Sequence, residues 1–108
     1  MDLRERVAAV IYRAIDEVNS QLPLSDRLEK ARDTILFGRE GGVDSLTLVN
    51  LIVSVEGLVE KDFGRAVPLS IAEMLFEPDS PFSSVGALGE YIVLRLQGRG
   101  VKSPSEVR

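Results

Sequence analysis

Residues 44–62 read DSLTLVNLIVSVEGLVEKD, and whether this run folds as a helix or a strand decides the class of the whole domain. Leu48, Leu51, Ile52, Val55, Leu58 and Val59 recur at steps of three and four, which gathers them on one side of an α-helix. Leu46, Val49 and Val53 widen the apolar surface toward another side. The β-branched residues lower helix propensity and make a strand over 48–55 the competing assignment. The length of the run, the capping signals at its start and the Phe63-Gly64 stop favour a helix over 44–62, although Gly57 weakens its interior.

The flanking segments follow the same pattern. Leu3, Val7, Val10, Ile11, Ala14, Ile15 and Val18 predict an amphipathic helix over 3–18, capped by Asp2 and stopped before Pro23. From Gln21 to Val43 no single period holds, so a long connection is expected, pinned by Leu22, Leu24 and Leu28, with a short helix near 25–32. Pro68 and Ser70 introduce a short helix over about 71–76, and Glu77-Pro78-Asp79-Ser80-Pro81 breaks the chain again. Ser83 or Ser84 caps a last helix to about Gln97, with Val85, Leu88, Tyr91, Ile92 and Leu96 on one side. Phe37, Phe76 and Phe82 fall in connections, where they serve as apolar anchors. The expected fold is all-α: a small four-helix bundle of three longer helices and one short one, with a long first loop. The domain spans 1–97, and 98–108 is a basic tail expected to fray.

The chain has 108 residues and contains neither Cys nor His. Thiol nucleophiles, disulfides, Cys/His metal sites and imidazole acid–base catalysis are therefore excluded. A net charge of -4 disfavours binding to a nucleic-acid backbone. No apolar stretch approaches the roughly 18 residues of a membrane span. The beginning of the chain does not read as a signal peptide, so a cytoplasmic location is expected.

Chemistry has one place to sit. Gly41-Gly42-Val43-Asp44-Ser45-Leu46 brings a glycine-rich approach to a serine at the first turn of a mostly apolar helix. Such a start presents unpaired N–H groups and a positive field, which suit a bound or attached phosphate. No Lys-Ser or Lys-Thr pair follows the glycines, so this is no nucleotide cradle. Ser45 has no histidine to activate it and reads as a group that another enzyme modifies. Asp44 either orients a metal–phosphate group in that reaction or caps the helix.

The run Val43-Asp44-Ser45-Leu46, with Leu48, Val49, Val55 and Glu56 downstream and Phe63-Gly64 closing the helix, resembles the acyl carrier and peptidyl carrier protein family. Ser84-Val85, Leu88 and Tyr91-Ile92 resemble that family's last helix, and the likeness extends over most of 3–97. The resemblance implies a 4′-phosphopantetheine arm, donated by coenzyme A and attached to Ser45 by a magnesium-dependent phosphopantetheinyl transferase, with Asp44 and Leu46 flanking the site. The arm's thiol would hold an acyl or aminoacyl group as a thioester, supplying chemistry that a cysteine-free chain lacks. The implied partners are that transferase, a loading enzyme for the acyl or aminoacyl group, and a downstream acyltransferase or synthase in lipid or secondary-metabolite biosynthesis. The implied protein is a monomer with no turnover of its own.

Fatty-acid members of the family carry acids along the helix after the serine, whereas here acids return only at Glu56, Glu60 and Asp62. The uncharged Thr47, Leu48 and Val49 suit partners that recognise shape and apolar contact, which points to a specialised carrier. A competing assignment is a carrier-like interaction module that binds through this surface and never receives the arm. A self-contained hydrolase using Ser45 would lack a base.

Overall fold

The computed structural model describes residues 2–38, 41–69 and 80–98. Among these, α1 spans Leu3–Asn19, α2 spans Ser45–Phe63 and α3 spans Val85–Leu96. The expected helix over 71–76, Phe76, Arg39, Glu40 and the tail beyond Gly98 lie outside the described residues.

Each helix begins on a side-chain cap that satisfies an otherwise orphaned N–H. Asp2 accepts from the Glu5 N–H at 2.9 Å, Asp44 from the Thr47 N–H at 2.8 Å, and Ser84 from the Ala87 N–H at 3.1 Å. Helix α2 ends on Gly64, whose φ of 69° is left-handed and whose N–H donates to the Glu60 carbonyl at 2.9 Å. The three-and-four spacing wins over β-propensity in 48–55 because it lets Leu48, Leu51, Ile52, Val55 and Val59 all be buried on one face.

Helix α1 packs against both α2 and α3. Its buried stripe of Val7, Val10, Ile11, Ala14, Ile15 and Val18 meets the α2 stripe and Val85, Leu88, Ile92 and Val93 of α3 in one aliphatic core. Helices α1 and α2 run antiparallel: the Arg6 guanidinium lies 4.5 Å from the centre of the Phe63 ring, Arg13 Nη1 is 2.8 Å from Asp62 Oδ2, and Ser54 donates to Glu17. Arg4 makes a forked ion pair with Glu90 of α3 at 2.7 and 3.1 Å.

The connection from Ser20 to Asp44 departs from the sequence reading in two places. The helix expected near 25–32 is a single 3-10 turn at Leu24–Asp26, after which Arg27 is extended. The cause is local competition for backbone groups. The Asn19 side chain donates to the Leu28 carbonyl at 2.9 Å and accepts from the Leu28 N–H at 2.8 Å, holding that residue out of a helix. Leu22 and Leu28 pack on the core, but Leu24 is 80% exposed and pins nothing.

Further along, the connection is tied to α3. The Leu36 N–H donates to the Ser83 carbonyl and the Val85 N–H to the Thr34 carbonyl, each at 3.0 Å, forming an antiparallel bridge between Ile35 and Ser84. Strands β1 (Phe37–Gly38) and β2 (Gly41–Gly42) pair antiparallel, with Phe37 opposite Gly42 and Gly38 opposite Gly41. Leu36 and Phe82 are fully buried, so Phe82 is the anchor its sequence context suggests, and Phe37 packs partly buried against the same core.

Candidate functional site

Ser45 is the first residue of α2 and is exposed. Its approach is set by backbone bonding: the Val43 N–H donates to the Leu36 carbonyl at 3.0 Å, and Leu36 is itself bonded to Ser83. The extended Asp44 then turns the chain into the helix, its carbonyl accepting from the Leu48 N–H at 2.9 Å. The Ser45 hydroxyl thus stands at the positive end of a 19-residue helix, on a backbone held from behind.

Asp44 has a defined structural task. Its carboxylate is held below its ordinary pKa by the Thr47 backbone N–H and then by the Thr47 side chain. A carboxylate stabilised in its ionised form is a poorer base, so Asp44 is ill suited to activate its neighbour. No cluster of acidic residues able to hold a metal occurs among the described residues. The site can present a hydroxyl and receive an anion at a helix start.

Leu46 is 71% exposed, and with Val49 and Val53 it forms an apolar stripe along the outer side of α2. Of the uncharged surface expected at Thr47, Leu48 and Val49, Leu48 is buried in the core, as its place in the apolar stripe predicts, and the exposed apolar surface is Leu46, Val49 and Val53. The side chains sort this way because 46, 49 and 53 fall on one helical face and 48, 51, 52 and 55 on another.

A groove of about 460 Å³ runs between α1 and α2, with Ser45 outside its lining. One wall is Leu46, Thr47, Asn50 and Ser54 of α2; the other is Glu17 and Val18 near the end of α1, with Gln21 and Leu22 just after it. Sequence reasoning missed its polar members. Their signal was available, since Thr47, Asn50 and Ser54 interrupt the apolar run at steps of three and four and so share a face. The lining mixes the polar Glu17, Gln21, Thr47, Asn50 and Ser54 with the apolar Val18, Leu22 and Leu46.

Compared with protein-family models, with curated proteins and with solved structures, the chain finds no match.

Proposed function

We propose that this chain is a carrier protein that holds an acyl or aminoacyl group as a thioester on a 4′-phosphopantetheine arm attached to Ser45. It passes that group between enzymes of lipid or secondary-metabolite biosynthesis and has no turnover of its own. The observation that carries this reading is Ser45 exposed at the opening of α2, one residue after a cap aspartate engaged by the Thr47 N–H. The carrier-type bundle would be completed by the short helix expected over 71–76.

In this reading the arm supplies the thiol and the chain supplies position. Ser45 Oγ forms the new P–O bond as the pyrophosphate P–O bond of coenzyme A breaks. Adenosine 3′,5′-bisphosphate leaves, and the hydroxyl proton passes to the transferase. Leu46, Val49 and Val53 offer the transferase, the loading enzyme and the acyltransferase or synthase an apolar contact next to the modified serine. No described helix is long and apolar enough to cross a membrane, and the reading places the carrier in the cytoplasm as a monomer.

The test is intact mass after incubation with coenzyme A, magnesium and a broad-specificity phosphopantetheinyl transferase. One phosphopantetheine should be added to the native chain and none to Ser45→Ala, with both chains equally helical. Addition to the variant would remove the assignment of this serine.

The exposed Leu46, Val49 and Val53 stripe also favours a second reading, an interaction module that never receives the arm. That module would stay unmodified with its cognate transferase and would retain its partner in Ser45→Ala.

A further inference from the structure

We propose that the basic segment 99–108 of this chain docks on the far end of α2, in the hollow between that helix and the loop that follows it. The hollow is remote from Ser45, since Gly57 lies twelve residues further on, a rise of about 18 Å along a helix, so the contact does not rest on the carrier reading. Its volume is about 350 Å³. On its apolar side Val67 is buried while Ala66 and Pro68 are exposed, and Gly57 leaves the space open, because a Cβ there would meet nothing within 4 Å. Its ionisable residues are both acids, Glu56 and Glu60, with no Lys or Arg in the lining. Glu56 is fixed in place, its Oε2 accepting from the Leu69 N–H at 2.7 Å. Neither acid pairs with a cation among the described residues.

The end of α3 selects the occupant. Arg65 Nη1 donates to the Leu96 carbonyl at 2.6 Å, which seats that end against the residue preceding Ala66 and commits the Arg65 guanidinium to α3. The segment after Gly98 therefore starts beside the hollow. It carries Arg99, Lys102 and Arg108 against the single Glu106, with Val101 between the first two cations. Lys102 is four residues past Gly98, at most about 14 Å of extended chain, a length that carries both cations past Arg65 toward Glu60 and Glu56. Val101 then meets the apolar side. Because the segment belongs to the same chain, its effective concentration is high, and ion pairs too weak to hold a free peptide become populated.

The cysteine-free sequence gives a clean probe, since Ser105→Cys in the full chain accepts a single nitroxide label that broadens amide signals near it. The N–H signals of Gly57, Glu60, Ala66 and Val67 should broaden, while those of Leu46 and Thr47 at the other end of α2 stay sharp. Glu60→Lys on the helix, or Lys102→Glu in the segment, should each reduce the broadening rate at Ala66 and Val67 about fivefold, the scale of a surface ion pair. Raising the ionic strength from about 0.01 M to about 1 M, which shortens the screening length from about 30 Å to about 3 Å, should act in the same direction. Even broadening along α2, or a pattern that survives both substitutions and salt, would overturn the proposal. So would equal broadening in a mixture where label and isotope sit on different copies, which would make the contact one between chains. Loss or gain of phosphopantetheine on Ser45 leaves every one of these outcomes unchanged.

Discussion

Gly86 and Arg32 meet twice at one atom: the Gly86 N–H donates to the Arg32 carbonyl oxygen at 2.8 Å, and a Cβ on Gly86 would stand 3.1 Å from that same oxygen. The first turn of α3 is thus seated on the loop backbone, with room for a hydrogen there and little for a methyl group. Gly86→Ala should destabilise the protein by about 1–2 kcal/mol, because the carbonyl must move and strain its bond. Gly57→Ala provides the opposite sign: a Cβ there meets nothing within 4 Å, and the substitution should stabilise by about 0.5–1 kcal/mol by restricting the unfolded chain. Urea unfolding of the three proteins checks both, and a stabilising Gly86→Ala would show that the contact yields freely.

The cap at Asp44 should be visible in acid. Its folded-state pKa is lowered, so the stability it contributes is complete above the ordinary carboxylate value of 3.8 and is lost as pH falls through the lower folded value. Asn keeps an acceptor for the Thr47 N–H and does not titrate. Asp44→Asn should therefore flatten part of the fall in stability between about pH 5 and pH 2, read from unfolding midpoints at several pH values. An unchanged acid slope would mean that the cap bond does not depend on ionisation.

The two sides of α2 should respond differently to truncation. Leu48→Ala removes a side chain that is 1% exposed and should cost about 2–5 kcal/mol. Val53→Ser alters a residue that is 60% exposed and should change stability by no more than about 0.5 kcal/mol. Denaturant midpoints distinguish them, and a large loss in Val53→Ser would show that the stripe is covered in solution.

Asn19 is the hinge post of the first connection. Replacing it with Ala leaves the Leu28 N–H and carbonyl without their 2.8 and 2.9 Å partners in a half-buried setting, at a cost of about 1–3 kcal/mol. Faster hydrogen exchange at the Leu28 amide, with α1 still protected, is the expected signature. Unchanged exchange would assign the order of that loop to its leucines alone.

The contrast between Leu48 and Leu24 shows what the sequence made legible. Periodicity assigns Leu48 to the core because nineteen residues of α2 vote together on which face is buried. Leu24 sits in a turn of three residues, too short for any period, and its exposure follows from the Asn19 clamp on Leu28, a contact nine residues apart. Asp44 and Ser45 were readable because capping is local; the Thr34–Leu36 bridge to Ser83–Val85 was not, since residues that far apart carry no shared pattern. The groove fell between these cases. Its α2 wall follows a helical spacing, but only the packing of α1 brings Glu17 opposite Ser54.

The relay from Val43 through Leu36 to Ser83 makes the serine's setting a discontinuous property of the chain. A peptide cut to the connection and α2 would contain Ser45, its cap and the whole connection that leads to it, yet lack the Ser83 carbonyl that holds Leu36. Excision preserves the motif and discards its foundation. An enzyme that reads Ser45 in its folded setting is therefore reading the assembled protein, and a half-made chain still lacking α3 presents it a different object.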